Sequence, residues 1–243
     1  MGYAIWVAAG IVLAAVVARV QPKASTLEPA QRQALSLAAL AGAIFGAYGL
    51  QLPADLLGWH APPPPGVHGD PLGGRTVLGG LLGGWLGVEG MKLLAGIRRP
   101  TGGDFALPLA IALGCGRLGC FVAGCCAGTE CAPGWFATCD AIGTPRVPTQ
   151  LIEAGYHFVA VIPLADAAWR GRWSTTRLPA YLAGYAVVRF VVEFWRQHPP
   201  MLAGLTWHQL LAVALFALTF SVWLRRACYG ASAERSDEQC ISQ

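Results

Sequence analysis

Charged side chains are scarce in this sequence. They make up only 12% of the 243 residues, whereas 55% of the residues are hydrophobic. The charged share is about half of what soluble domains usually carry, so a water-soluble globular domain is excluded. The net charge of +4 is small, and its distribution gives no indication of a nucleic acid as a partner.

Seven apolar windows follow one another along the chain, each about 18–23 residues long and therefore able to cross a hydrocarbon core of about 30 Å. They cover residues 3–20, 33–52, 76–97, 104–124, 151–168, 178–195 and 202–224. We predict an all-α polytopic membrane protein with about seven transmembrane helices. Residues 1–227 are expected to form a single transmembrane domain, and residues 228–243 a mobile cytoplasmic tail.

The first window raises the alternative of a cleaved signal peptide. It has no basic start and no clear small-residue cleavage site before Arg19, so we interpret it as a helix of the mature protein.

Lysine and arginine are unevenly divided between alternate loops. Twelve of the 17 basic residues fall on one side of the predicted helices, and basic loops stay in the cytoplasm. The N-terminus is therefore predicted to lie outside and the C-terminus inside. The basic residues of the outer half are Arg75, Arg117, Arg146, Arg189 and Arg196.

Arg117 and Arg189 lie inside apolar windows, at a common depth of about 10 Å from the outer surface. A guanidinium at that depth costs at least about 2–3 kcal/mol, so it normally faces a polar interior and marks function. Arginine binds phosphate through two parallel hydrogen bonds, which predicts a site for a phospholipid head group. The alternative is a pair of purely structural ion pairs, Arg189 with Glu193 and Arg117 with Glu89.

Two further polar residues open the fifth predicted helix. Glu153 has three interpretations: a general base, a partner of an arginine, or a negative charge at a helix N-terminus. His157 lies one turn later and is interpreted as a hydrogen-bonded residue of the bundle. Earlier in the chain, the glycine-rich stretch 73–90 indicates close packing between two helices.

Eight cysteines are present, and six of them fall between residues 115 and 139. A disulfide is expected among the three that fall in the predicted outer loop, because an oxidising compartment favours it: Cys126, Cys131 and Cys139. The others recur every five residues and match neither a redox motif nor a standard zinc spacing: Cys115, Cys120 and Cys125. We interpret these as small packing residues, with metal or redox chemistry as the alternative.

Several ordered blocks of the sequence resemble the bacterial prolipoprotein diacylglyceryl transferases. Residues 116–124 and 146–153 are similar to two signature segments of that family, residues 184–197 to its sixth-helix signature, and residues 205–210 to the start of its last helix. Gly79, Gly80 and Leu81 resemble the family's His-Gly-Gly-Leu element.

The resemblance implies a seven-helix enzyme of the bacterial inner membrane. Such an enzyme moves diacylglycerol from phosphatidylglycerol to the lipobox cysteine thiol of a prolipoprotein signal peptide, forming a thioether and releasing glycerol phosphate. The expected partners are this lipid, the signal peptide and the surrounding membrane lipid. No metal or soluble cofactor is implied, because the lipid carries the transferred group.

The family's functional residues map onto this sequence by position. The resemblance implies a catalytic role for Arg117, Arg189, Tyr185 and Glu153, with the two arginines stabilising the phosphate that leaves. It implies substrate-binding roles for Gly79, Gly80, Cys120, Gly124, Arg146, Gln150, Glu193 and Arg196.

The sequence also departs from the family at positions that carry polar groups. Leu78 and Val147 replace two histidines, Cys120 replaces an asparagine, and Cys125 replaces a glutamate. Ile44 stands where the family has an arginine in its second helix.

These departures leave the general base unassigned. Glu153, His157 or a residue of the loop 68–70 are the substitutes that the sequence offers. Two other functions stay open: a phospholipid-binding paralogue that has lost thiol transfer, and thiol or redox chemistry by the cysteine cluster.

Overall fold

The computed structural model describes residues 2–23, 27–59, 75–134, 136–140 and 142–241, and the side chains of the last helix as far as residue 228. Within these residues, seven helices are long and apolar enough to span a membrane. Each coincides with one of the seven predicted apolar windows, so the predicted helical membrane architecture is confirmed.

The helices are numbered in chain order. They are α1 (Gly2–Val20), α2 (Pro29–Gly49), the short α3 (Leu52–Leu56), α4 (Val77–Leu94), α5 (Gly103–Val122), α6 (Thr149–Trp169), α7 (Arg177–Val192) and α8 (Trp207–Ile241). A 3-10 turn, Glu193–Trp195, extends α7 at the end that carries the site.

Helices α2 and α4 pack backbone against backbone. A Cβ atom added at Gly46 would collide with the carbonyl oxygen of Gly79, and one added at Gly42 would collide with that of Gly83. Small residues allow this approach, which is the main source of helix association where the surroundings are as apolar as the helices. The close packing predicted from the glycine-rich stretch is confirmed for its described part.

Helix α5 occupies the centre of the bundle, where it packs against α1 on one side and α6 on the other. Small residues such as Ala106, Ala110 and Gly114 are buried along it. A second apolar cluster joins α4, α7 and α8 through Leu78, Tyr185 and Leu215. The C-terminal ends of α5 and α7 and the N-terminal end of α6 come together inside the protein.

The segment between α5 and α6 contains a short antiparallel hairpin, β1 (Thr138–Cys139) and β2 (Pro145–Arg146). These two-residue strands are the exception to the all-α prediction among the described residues. The expected disulfide is wrong, because Cys126, Cys131 and Cys139 all have free thiols.

Three further expectations stay predictions. The outer loop that carries His60, His68 and Asp70 lies outside the described residues. Residues 228–241 continue α8, and the mobility of the tail, like the orientation of the termini, stays a prediction.

Candidate active site

The centre of the site is a buried carboxylate, Glu153, in the first turn and a half of α6. Its Oε2 atom lies 2.6 Å from Nη2 of Arg117 on α5 and accepts a 2.8 Å hydrogen bond from the hydroxyl of Tyr185 on α7. Its Oε1 atom accepts a 3.1 Å hydrogen bond from Arg196, just beyond α7. The Tyr185 hydroxyl also accepts a 3.2 Å hydrogen bond from Arg117. Of the three interpretations of Glu153, the structure shows the arginine partner.

A second buried ion pair lies at the C-terminal end of α7. Arg189 donates to Glu193 at 2.5 Å, one turn along the same helix. This half of the structural alternative is confirmed. The other half is wrong, because Arg117 pairs with Glu153, whereas Glu89 pairs with Lys92 at 2.9 Å.

Glu193 also gathers residues that the sequence did not single out. His198 Nδ1 lies 2.6 Å from its Oε1 atom, and the Thr206 hydroxyl donates to the same atom at 2.9 Å. The rings of His198 and His208 are 4.4 Å apart between centroids. Sequence analysis missed this group because its members come from α7, the loop after it and the start of α8, with no common spacing.

These charges do not cancel. Arg117, Arg189 and Arg196 face Glu153 and Glu193, which leaves a net charge of +1 for the five side chains, and all are buried or nearly so. A surplus cation in an apolar bundle is costly unless an anion joins it. The arrangement is therefore suited to a ligand that carries one negative charge.

Arg146 is predicted to bind substrate, but its described side-chain contacts are with the segment between α5 and α6. Its Nε atom donates to Asp140 at 2.7 Å and its Nη2 atom to Glu130 at 3.3 Å. The hydrogen bond from Arg146 lowers the pKa of the Asp140 carboxyl, with help from the N–H groups of Thr144 and Ile142. Arg196 lies deeper and takes part directly in the Glu153 centre.

The segment that follows α5 turns back towards the same site. Gly124 and Cys126 both have positive φ, 68° and 64°. Two side chains at the start of α6 stabilise this turn. Gln150 donates a hydrogen bond to the Cys125 carbonyl and Thr149 donates one to the Cys126 carbonyl, each at 2.7 Å. The Oε1 atom of Gln150 is buried without a hydrogen-bond partner and is free to meet a ligand.

This turn brings the adjacent Cys125 and Cys126 thiols next to that of Cys120. The Sγ atoms of Cys120, Cys125 and Cys126 all lie within 4.8 Å of one another. Hydrogen bonds from the Cys120 and Cys125 thiols lower the pKa of the Cys126 thiol well below its usual value, and the charges of Arg196 and Arg117 act in the same direction. Cys120 and Cys125 thus lie in one group of thiols, whereas Cys115 is buried in the core. The choice between packing and metal or redox chemistry for these cysteines stays a prediction.

The two positions at which the family has histidines carry apolar side chains. Leu78 is fully buried in the cluster that contains Tyr185, and Val147 forms backbone hydrogen bonds with residues 128 and 129. His157 is also fully buried and shares a 2.7 Å hydrogen bond with the Tyr181 hydroxyl, while its Nε2 atom has no hydrogen-bond partner.

Gly79, Gly80 and Gly124 have separate structural roles. Gly79 is part of the tight contact with α2, and Gly124 permits the positive φ of the turn. Gly80 lines an apolar cavity of about 320 Å³ between α2, α4 and α5. A second apolar cavity, of about 770 Å³, extends between α6, α7 and α8 and is lined by Tyr156 and Tyr181.

The whole helical bundle matches a known family. The family described as prolipoprotein diacylglyceryl transferase matches residues 1–225. The chain is similar to phosphatidylglycerol–prolipoprotein diacylglyceryl transferase 2 of Clostridium perfringens, at 31% identity over 138 residues, which cover 54% of each chain.

Two other curated relatives give similar values. The enzyme of the same name from Idiomarina loihiensis is 33% identical over 63% of this chain and 60% of its own length. That of Methylococcus capsulatus is 32% identical over 65% of this chain and 62% of its own length. The chain thus spans between about half and three fifths of the curated relatives it matches. With its family match over residues 1–225, this chain belongs to the prolipoprotein diacylglyceryl transferase family.

Proposed function

We propose that this protein transfers the diacylglyceryl group of phosphatidylglycerol to the lipobox cysteine thiol of a prolipoprotein. The observation that carries the proposal is the buried network of Arg117, Glu153, Tyr185 and Arg189, with its net positive charge. Phosphatidylglycerol brings one negative charge on its phosphodiester, which balances that network.

The chemistry of the transfer explains why arginines are needed. When the glyceryl carbon is attacked, the C–O bond breaks and its electron pair stays on the phosphate, so negative charge grows there. Donors fixed in advance around that phosphate stabilise the transition state more than the substrate. Glu153 and Glu193 hold Arg117 and Arg189 in place, and each guanidinium keeps other N–H groups for the lipid.

Glu153 is a poor general base in this arrangement. It already accepts hydrogen bonds from two arginines and a tyrosine, so taking a proton would break its ion pairs. We assign it the role of orienting Arg117 and Arg196. Tyr185, which touches both Arg117 and Glu153, is assigned to contact the head group.

The apolar cavities give the acyl chains a place beside the network. Tyr156 lines the larger cavity, and its ring lies 6.0 Å from that of Tyr185. A lipid whose phosphate meets the arginines can therefore extend its chains along α6 and α7.

The cellular setting follows from the charge distribution. We place the protein in the bacterial inner membrane with its N-terminus and its active site on the outer side, because twelve of the 17 basic residues fall in loops of the other side. Prolipoprotein signal peptides reach the outer leaflet, where this site would meet both substrates.

The test is a transfer assay with the purified full-length protein in detergent, labelled phosphatidylglycerol and a lipobox peptide. Arg117→Lys and Arg189→Lys should each lower turnover by about 100-fold or more, because an ammonium cannot form the planar double hydrogen bond to phosphate. Arg170→Lys is the matched control, since Arg170 is exposed and pairs with the partly exposed Asp166 at 2.6 Å.

The outcome separates two functions. A thioether product that is lost in both variants supports the transferase. Full turnover in both lysine variants contradicts the phosphate-binding role of the arginines.

A second function, a phospholipid-binding paralogue without thiol transfer, is favoured by one observation. The two histidine positions of the family are occupied by Leu78 and Val147, and no described residue replaces them there. Binding of phosphatidylglycerol without any thioether product from the wild-type protein would favour this second function.

A further inference from the structure

Three thiols are collected at the outer end of α5, directly beside the arginine network. Cys120 belongs to the last turn of α5, and Cys125 and Cys126 follow the positive-φ turn at Gly124. Their Sγ atoms lie within 4.8 Å of one another, and all three side chains are partly exposed. Nothing in the proposed phosphate-binding role of the arginines uses them.

Hydrogen bonds from neighbouring residues hold the three cysteines in place. Thr149 and Gln150, at the start of α6, bind the carbonyl oxygens of Cys126 and Cys125. The Cys125 N–H donates to the Cys120 carbonyl at 3.1 Å. Such hydrogen bonds around ligand residues fix the geometry of metal sites.

The spacing suits a tetrahedral cation bound by sulfur. With Zn–S bonds of about 2.3 Å, two thiolates on one zinc ion lie about 3.8 Å apart. The present separations exceed that value by no more than about 1 Å, which rotation about the Cα–Cβ bonds can close.

The charges of the neighbouring arginines are also compatible with thiolate ligands. Three thiolates and one divalent cation carry a net charge of −1, and Arg117 and Arg196 both act electrostatically on Cys126. These two guanidinium groups therefore favour the thiolate forms that bind a cation.

A second group of potential metal ligands is less suited to a divalent cation. Glu193, His198 and His208 also have ligand atoms within 4.8 Å of one another. A divalent cation there would carry a net charge of +1 beside Arg189, which already binds Glu193 at 2.5 Å. Repulsion from that guanidinium makes this group the poorer metal site.

We propose that Cys120, Cys125 and Cys126 bind a thiophilic divalent cation, with zinc as the expected ion, and that its fourth position accepts the thiol of the peptide substrate. The second part rests on the proposed transferase function. The cation would supply the thiolate for which the family's histidines are missing, because a thiol bound to zinc is deprotonated.

The reaction balances without another reagent. The peptide thiol loses its proton to water as its sulfur binds the cation. A sulfur lone pair then forms the C–S bond to the glyceryl carbon, while the C–O bond breaks with its electrons on the phosphate. Glycerol phosphate leaves as a dianion, which Arg117 and Arg189 stabilise, and the thioether, a weaker ligand than a thiolate, is released.

The test uses the reduced full-length protein loaded with Co²⁺, whose thiolate complexes absorb in the near ultraviolet. We expect about one ion per chain after gel filtration, with a sulfur-to-cobalt absorption band. Adding a lipobox peptide should change the band, whereas the same peptide with serine in place of cysteine should not.

Single variants identify the ligands. Cys120→Ser, Cys125→Ser and Cys126→Ser should each weaken Co²⁺ binding at least about tenfold. Cys131→Ser and Cys139→Ser, which alter thiols of the same outer loop outside the group, should bind Co²⁺ like the wild type. Removing the metal from the wild type with a chelator, and restoring it with Zn²⁺, repeats the comparison without any change of sequence.

Failure of this inference can be told from failure of the proposed function. Absence of a cobalt–thiolate band in reduced protein, a disulfide within the three thiols of the freshly purified protein, or undiminished transfer after chelation would overturn the metal site and leave the transferase intact. A band that responds to the peptide thiol, without any transfer of diacylglycerol, would support the metal site and count against the transferase.

Discussion

The Glu153 carboxylate lies 2.6 Å from the Arg117 guanidinium, across the interface between α6 and α5. Both side chains are buried, Glu153 completely. The pair joins α5, which carries Cys120, to α6, whose first residues Thr149 and Gln150 bind the carbonyl oxygens of Cys126 and Cys125. The orientation of the arginines and the position of the cysteines therefore depend on the same helix interface. Removing one partner of such a buried ion pair destabilises a protein more than replacing both partners by apolar residues.

Removing the charge of Glu153 should destabilise the protein strongly. Glu153→Gln leaves Arg117 and Arg196 without their buried counter-charge, which is expected to cost about 3–5 kcal/mol. The measurement is unfolding by denaturant in detergent, together with the transfer assay. Glu130→Gln is the matched control, because Glu130 is 65% exposed and its pairing with Arg146 contributes less than about 1 kcal/mol. Equal effects of the two substitutions would show that Glu153 is not the charge that holds the site together.

Introducing the family histidine at Leu78 should not raise the transferase activity. Leu78→His places an imidazole in an apolar cluster, at an expected cost of about 1–3 kcal/mol for the polar group. If a metal-bound thiolate replaces the base, turnover in the transfer assay should not rise. Leu78→Met controls for the change of packing alone. A large gain of turnover in the histidine variant would instead identify a decayed enzyme that lacks only its base.

The contact between α2 and α4 should not tolerate a methyl group. Gly46→Ala pushes a Cβ atom into the backbone of Gly79, and we expect a destabilisation of about 1–3 kcal/mol and a lower thermal midpoint in detergent. Gly90→Ala, in the partner helix α4, meets nothing within 4 Å and should be neutral or stabilise by about 0.5–1 kcal/mol. Similar midpoints for both variants would contradict the close helix contact.

The hairpin should depend on the ionised form of Asp140. Arg146 lowers the pKa of this carboxyl, so its stabilising effect is fully present above the ordinary pKa of about 3.9 and is lost as the pH falls through the lower folded-state value. Between pH 5 and 8 the hairpin should therefore be unaffected by pH.

Amide hydrogen exchange measures this directly. The N–H groups of Ile142 and Thr144 both donate to Asp140, and their protection should fall in Asp140→Asn at every pH, because a neutral amide oxygen is a weaker acceptor and no longer pairs with Arg146. Asp166→Asn, in an exposed ion pair of α6, should leave that protection unchanged. Protection that survives in the Asp140 variant would assign the hairpin's stability to its backbone alone.

The sequence alone determined the architecture of this protein, because crossing a membrane depends on local properties. Length and apolar composition identified the seven described helices that can span a membrane, and the glycines of α4 indicated its close packing against a neighbouring helix. Arg117 and Arg189 were found for the same reason, since a charge inside an apolar window is costly wherever it lies. The ion pair between Arg189 and Glu193 also follows from helical spacing, because one turn separates them.

Only the tertiary structure decided which distant residues meet. Arg117 pairs with Glu153 and not with Glu89, because α5 packs its buried face against α6. The sequence predicted a disulfide for Cys126 in the outer loop, whereas the positive-φ turn at the end of α5 groups its thiol with Cys120 and Cys125. Such contacts depend on the packing of whole helices and on the path of one turn, and no local pattern of residues encodes either of them.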